Sequence, residues 1–197
     1  MGPELVPMVF TSGWASGVNA YAVVLVLGLF GRFGGVDSVP PALQRTDVLV
    51  VALVLFAVEM VADKVPYLDS AWDAAHTFVR PVVGAALGLL IAGDASSLEQ
   101  AVLAATGGAT ALASHVVKAG LRAAVNTSPE PASNIAVSSA EDLTVAGVVS
   151  LSLVAPWVAA GVAGLLLVRG SALVLLALSR IRAARARRRG RRAARPT

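Results

Sequence analysis

The sequence predicts an all-α fold: a polytopic membrane helical bundle of about six transmembrane segments, with a possible 3+3 inverted repeat. Three observations carry this expectation. Of 197 residues, 56% are hydrophobic and only 14% charged, against about 25% charged in a soluble domain. Six apolar segments, near 12–31, 47–64, 70–92, 98–119, 141–156 and 157–180, approach the length of a span; a hydrocarbon core of about 30 Å takes roughly 20 helical residues. The charge is also uneven. Nine of the sixteen basic residues are arginines within 180–195, and the other seven face twelve acids, so the body is mildly acidic with one basic tail.

The N-terminus, MGPELVPMVFTSGW, has neither a basic n-region nor a small-residue cleavage site, so the first segment is expected to stay in the mature protein. That segment carries Ser12, Ser16 and Asn19 on one stripe beside Gly13-x-x-x-Gly17. Small residues let membrane helices approach closely and hydroxyls join them. Asn19 is costlier in lipid and is expected to face an interior or an aqueous cavity.

In the second segment eleven apolar residues, Val48 to Val58, are bounded by Asp47 and Glu59. Glu59 and Asp63 are four residues apart and share a helix face, which suits a cation site or a proton relay. Alternatively, Asp63 lies in interfacial water with Lys64 snorkelling beside it.

The third segment reaches spanning length only if it starts near Ser70 and passes through Pro81, where a kink is expected. Asp69, Asp73, His76, Thr77 and Arg80 follow helical spacing on an amphipathic entry. Ser70-x-x-Asp73 reads as a capping box, as do Ser139 and Asp142. His76 and Arg80 are left to pair with acids or to bind an anionic head group.

The fourth segment sets Thr106, Thr110, Ser114 and Lys118 at spacings of four, with His115 and Arg122 nearby. His115 and Lys118 should also face inward. Residues 123–140 are the least apolar of the body, and Pro129 and Pro131 argue against a regular helix. They form either a plain cytoplasmic loop or a re-entrant segment bringing Asn126, Ser128, Glu130 and Asn134 to the site.

Ala155-Pro156-Trp157 fits a tight interfacial turn with an aromatic anchor. Arg169, near the middle of the last apolar segment, either pairs with a membrane acid such as Glu59 or marks a helix break.

Basic residues set the orientation. Six spans put both termini on one side, and the arginine tail makes that side cytoplasmic, at a bacterial inner membrane. Lys64, Arg80, Lys118 and Arg122 then also fall inside, and only Arg32 and Arg45 outside. One transmembrane domain is expected over 1–182, with halves near 1–93 and 94–182. Residues 183–197 form a basic tail, expected to be disordered, that attracts anionic lipid rather than nucleic acid. Thr11-Ser12-Gly13 against Thr106-Gly107-Gly108, and Ser70-Ala71-Trp72-Asp73 against Ser139-Ala140-Glu141-Asp142, hint at inverted halves.

Cysteine is absent, which excludes disulfides and thiolate chemistry. No nucleotide loop, zinc spacing or nucleophile elbow occurs, so no enzyme, metal or cofactor is expected.

The blocks GWASGVNAYAVVLVLGLFGRFG, FAVEMVADKVPYLDSAWDAAHTFVRPVVGA and SHVVKAGLRAAVNTSPEPASN resemble bacterial integral membrane proteins of the domain-of-unknown-function family DUF4126. The Glu-x-x-x-Asp-Lys and Asn-Thr-Ser-Pro-Glu-Pro patterns carry that resemblance. It covers nearly the whole chain apart from the arginine tail, and it implies a polytopic membrane protein without assigning an activity. Glu59 to Lys64 is also similar to the Glu-x-Gly-Asp-Lys-Thr motif of a cation-exchanger family with three-plus-three spans. An extra residue, no glycine before Asp63 and Val65 in place of threonine separate the two, and no ion is transferred.

These readings converge on a small transporter or lipid-carrier-like protein. Its polar cavity would be lined by Asn19, Glu59, Asp63, His76, Arg80, His115, Lys118 and Asn126. The carboxylates would take a proton or cation, while Arg80 and Lys118 could neutralise an anionic substrate. The alternative is a non-transporting scaffold or accessory subunit whose charges fix helix packing. An intramembrane enzyme using Glu59, Asp63 and His115 as acid and base has no motif behind it. Expected partners are membrane lipids and an unidentified solute, ion or lipid, with a homo-oligomer left open.

Overall fold

The structure, a computed structural model, describes residues 4–65, 67–126 and 131–193, with no side-chain description at 131 or 184–193. Seven α-helices account for nearly all of it: α1 (Leu5–Val18), α2 (Ala20–Gly34), α3 (Thr46–Ala62), α4 (Leu68–Ala92), α5 (Ser97–Val125), α6 (Pro131–Val154) and α7 (Pro156–Ala193). A short 3-10 turn, Pro41–Gln44, joins α2 to α3. By length and composition α4, residues 132–154 of α6 and residues 156–183 of α7 can cross a membrane, and α1 and α2 are shorter apolar helices.

The first predicted segment is two helices, not one. The chain turns extended at Asn19 (φ −149°, ψ 100°), ending α1, and the Asn19 side chain accepts from the Ala22 N–H at 2.9 Å to start α2. Asparagine is a strong N-cap because its short side chain replaces a missing intrahelical acceptor. Apolar residues on both sides hide that break from a hydropathy reading.

Two further boundaries differ. Helix α6 begins at Pro131 and runs unbroken through Ser139 and Asp142, so the expected loop over 123–140 contracts to a short connection. Proline at the first helical position loses only an N–H that had no partner there. Ser128 and Glu130, placed by one reading at the site, lie outside the described residues. Helix α4 starts at Leu68, two residues before Ser70, and passes through Pro81. The turn at Ala155 falls where it is expected, between α6 and α7. Helix α7 continues to Ala193, past the point at which the sequence divides bundle from tail.

Polarity is inverted relative to a water-soluble bundle. Val50, Val51, Leu53 and Val54 of α3 and Leu165, Val168 and Leu176 of α7 face outward, while Glu59, Asp63, Asp73, Arg80, Lys118 and Arg122 are buried. That pattern matches a lipid surround, in which apolar exteriors are stable and charges must find partners inside.

The centre of the bundle is α1, α4 and α5, each packed on the other two. Helices α4 and α5 form a hairpin closed by residues 93–96, and α5 opens on a capping box in which Ser96 and Glu99 serve each other's backbone. Glycines bring the three axes together. A Cβ on Gly84 would stand 2.6 Å from both the Gly107 carbonyl oxygen and the Ala111 Cβ, and one on Gly13 would stand 2.5 Å from the same oxygen. No side chain fits in such contacts.

Gly84→Ala should therefore separate α4 from α5 and cost about 1–3 kcal/mol of stability. Gly147→Ala, where nothing lies within 4 Å, should be neutral or gain up to about 1 kcal/mol from helix propensity. Thermal unfolding in detergent checks this; equal melting temperatures for the two variants would contradict the close α4–α5 contact.

Candidate functional site

The break at Asn19 leaves the last carbonyls of α1 without intrahelical partners. Two cations meet them. Lys118 Nζ donates to the Val18 carbonyl at 2.9 Å, and Arg80 Nη1 reaches the Gly17 carbonyl at 3.4 Å. A helix C-terminus carries partial negative charge, so the broken helix itself is part of the cations' environment. Hydroxyls complete the seam, with Ser114 donating to the Trp14 carbonyl at 2.7 Å and Ser16 to the Arg80 carbonyl at 2.9 Å.

From there an ionic network runs through the bundle. Arg80 Nη2 donates to Glu59 Oε1 at 2.6 Å, and Nη1 lies 2.9 Å from Asp73 Oδ1. Lys118 Nζ is 2.7 Å from Asp63 Oδ2 and 3.6 Å from Glu59 Oε1. Arg122 Nη2 bonds Glu141 Oε2 at 2.6 Å and Asp63 Oδ2 at 3.3 Å, and Nη1 donates to the Asp63 carbonyl at 2.8 Å. Asp69 lies 3.8 Å from Arg122 and accepts from Asn126 Nδ2 through both carboxylate oxygens at 2.9 Å, while Ser70 Oγ stands 2.9 Å from the same nitrogen. At the other end Asn19 Nδ2 donates to Asp142 Oδ1 at 3.0 Å.

The histidines flank this network. Arg80 Nη1 can only donate, so His115 Nδ1, 2.8 Å away, must accept. His115 is thereby held neutral, with its Nε2–H directed at Thr77 Oγ1, 3.2 Å away. His76 donates from Nδ1 to the Trp72 carbonyl at 2.9 Å, stacks on the Trp72 ring, and meets the Tyr21 hydroxyl at 2.8 Å through Nε2.

Of the eight sequence-predicted site residues, Glu59, Asp63, Arg80, His115, Lys118 and Asn126 thus fall on one network, while Asn19 bonds Asp142 and His76 bonds Tyr21 and Trp72. Some readings of individual residues are overturned. Asp73 is not a cap: it sits in the second turn of α4, buried and paired with Arg80. Nor are Ser139 and Asp142, which lie within α6. Glu59 pairs with Arg80 rather than Arg169, and α7 is continuous through Arg169, which is exposed. Lys64 bonds the Met60 carbonyl at 3.1 Å, away from Asp63. Asn134 does reach the site, 3.4 Å from Arg122 Nη1, but from the first turn of α6 rather than a re-entrant loop.

The residues missing from the predicted set are Asp69, Asp73, Arg122, Glu141 and Asp142. Their signal was present. Arg122 lies one turn after Lys118 on the same face, and Asp69 and Asp73 share the stripe of His76 and Arg80.

Five carboxylates (Glu59, Asp63, Asp69, Asp73, Glu141) therefore meet three cations (Arg80, Lys118, Arg122), while Asp142 is held by Asn19. Fully ionised, the ion-paired cluster is two charges negative. Glu59 Oε2, Asp63 Oδ1 and Asp73 Oδ2 are buried with no hydrogen-bond donor among the described residues. No group of three or more His, Asp or Glu side chains among the described residues is arranged to hold a metal ion. Along one side, Lys118 and Glu141 border a cavity of about 290 Å³ between α1, α5, α6 and α7.

The sequence profile of a domain of unknown function (DUF4126) matches residues 6–176, which includes every residue of this network. No curated protein and no solved structure shows significant similarity to the chain.

Arg80→Met removes the partner of Glu59 and Asp73 together. Breaking a buried pair from one side costs about 3–5 kcal/mol, since a charge is left uncompensated. The double variant Arg80→Met/Glu59→Leu should recover part of that loss. Melting curves in detergent give the answer, and a single variant within a degree or two of wild type would refute the pairing.

Proposed function

The chain belongs to the DUF4126 family, and from that premise we propose that it is a small membrane transporter or lipid-carrier-like protein. The buried ionic network is its proton- or cation-binding site. One observation carries this reading: five carboxylates meet three cations inside the bundle, and buried oxygens of Glu59, Asp63 and Asp73 lack a hydrogen-bond donor among the described residues. Uncompensated charge at membrane depth is costly, so a network of this composition is complete only when it holds protons or a cation. Arg80 and Lys118 are already engaged by carboxylates, which favours uptake of positive charge over neutralisation of an anionic substrate.

The proposed topology counts α1 and α2 as one broken span, followed by five more. Halves α1–α4 and α5–α7 then have three spans each, with inverted orientation. Supporting this, the glycine of Thr11-Ser12-Gly13 packs directly on that of Thr106-Gly107-Gly108. Broken helices whose ends meet charged groups near the midplane are a recurring transporter device. Both termini are assigned to the cytoplasmic face of a bacterial inner membrane, with the arginine tail against anionic lipid.

A second reading has its own support. Arg80, Lys118 and Arg122 each bond at least two acceptors, as they would in a non-transporting scaffold clamped by ion pairs.

Proteoliposomes separate the two. With pyranine inside and a potassium–valinomycin potential imposed, wild-type protein should acidify or alkalinise the lumen according to the sign of the potential. A sodium gradient in place of the potential covers cation coupling. Glu59→Gln and Asp63→Asn, shown to be monodisperse by gel filtration, should lower the rate at least tenfold. Wild-type protein that moves neither ion, or variants with unchanged rates, would leave the scaffold reading standing.

A further inference from the structure

We propose that the cavity between α1, α5, α6 and α7 binds a single-chain amphiphile with a protonated amine head. The head would sit at Glu141 and the apolar tail among Val117, Leu121, Val137, Leu166 and Leu167. The proposal deepens the transporter reading, on which it rests only for treating the occupant as cargo.

Size sets the first limit. The cavity measures about 290 Å³, at the lower edge of the ~300–1,000 Å³ typical of small-molecule pockets. At roughly 30 Å³ for each water-sized group it holds about ten heavy atoms. One short alkyl chain fits, and the two chains of a bilayer lipid do not.

The wall chemistry sets the second. Most of the lining is aliphatic, with polar groups from Ser114, Lys118, Glu141 and Thr144. The two hydroxyls have already spent their protons, Ser114 on the Trp14 carbonyl and Thr144 on the Ala140 carbonyl, so they offer the cavity lone pairs. Lys118 directs its bonds to Asp63 and Val18. Glu141 holds Arg122 through Oε2 alone, and its side chain is 17% exposed, against 4% or less for Glu59, Asp63, Asp69 and Asp73. Its second oxygen has no donor among the described residues. The cavity thus presents acceptors and needs a donor.

Charge sets the third. An ammonium head offsets part of the twofold negative excess of the cluster that includes Glu141, whereas a carboxylate or phosphate head adds to it. Desolvated charges inside a bundle need an opposite partner. The cavity therefore selects the sign of its ligand as well as its shape.

Trp14 lines the cavity and makes binding directly readable. The chain has three tryptophans, so Trp72→Phe/Trp157→Phe leaves Trp14 as the sole indole, excited selectively at wavelengths where tyrosine does not absorb. That full-length protein, in detergent, is titrated with 8-bromooctylamine and with 8-bromooctanoate, whose bromine quenches indole emission. The amine should quench saturably at a concentration at least tenfold lower than the acid. Ala140→Phe, which fills the cavity from its rim, should abolish the saturable component. Glu141→Gln should bring amine and acid within about twofold of each other.

Equal potency of the two compounds in the parent protein would overturn the proposal. So would quenching that Ala140→Phe leaves intact, which is simple partitioning into the micelle. If Glu141→Gln does not fold, the compound comparison and Ala140→Phe still decide. In a third arm, phosphatidylcholine nanodiscs with or without phosphatidylethanolamine are titrated with the amine; loss of amine quenching on adding that lipid would assign the site to a two-chain lipid and overturn the single-chain assignment. Because the readout is binding, quenching without flux would remove the transporter reading alone, and flux without quenching would remove this one alone.

Discussion

Three basic side chains buried at the centre of an apolar bundle constrain everything around them. Arg80 and Arg122 cannot be neutralised by losing a proton in a protein, and leaving either unpaired costs several kcal/mol, a large share of the stability of most domains. Each therefore dictates where carboxylates must stand. Glu59 ends up one turn from the end of α3, Asp73 one to two turns into α4, and Glu141 inside α6 because those positions bring an oxygen to a guanidinium. The order of helices follows from these pairings as much as from apolar packing.

Close packing makes those pairings possible. The ion pairs join α3, α4, α5 and α6 across the α1 break, and the guanidinium of Arg80 must pass between α1 and α5 to reach Gly17, Glu59 and His115 together. That needs axes closer than ordinary side chains permit, hence the run of glycines at 13, 17, 84, 88 and 107, each in contact with a neighbouring backbone. Lipid supplies no hydrophobic drive between helices, so van der Waals contact at these glycines and the ionic network together take the place of an oil-like core.

The parts of this arrangement that were legible in the sequence are those that violate the membrane's preference. A buried Glu, Lys or Arg in an apolar run advertises itself, and Asn19, Glu59, Arg80 and Lys118 were found that way. What was not legible has a local double. Ser70-x-x-Asp73 has the spacing of a capping box, and only the tertiary position of Arg80 turns Asp73 into its counter-ion. Pro131 looks like a helix breaker until the helix begins at it. Asn19 is one polar residue in a run of apolar ones, and the extended backbone that makes it a cap between two helices leaves no trace in hydropathy. In each case a short-range pattern admits two structures and a long-range contact selects one.

The composition of the network also departs from that of a balanced clamp. A clamp that only held helices together would be most stable when balanced, with each guanidinium or ammonium matched by one carboxylate and every oxygen supplied with a donor. This network departs from that optimum with acids in excess, and its buried atoms without a hydrogen-bond partner lie on both sides of the pairs, on Glu59, Asp63 and Asp73 oxygens around Lys118 and on the Nε of Arg80 and Arg122. Excess acceptors are destabilising when empty and stabilised by whatever positive charge they take up, so the stability of the bundle and the occupancy of its site are one equilibrium. Lys118 stands among three of these carboxylates, 2.7 Å from Asp63, 3.6 Å from Glu59 and 3.9 Å from Asp73, and only the first lies at hydrogen-bond distance. One ammonium is thus shared among acceptors it cannot satisfy together, and the excess of acid over base is concentrated around it.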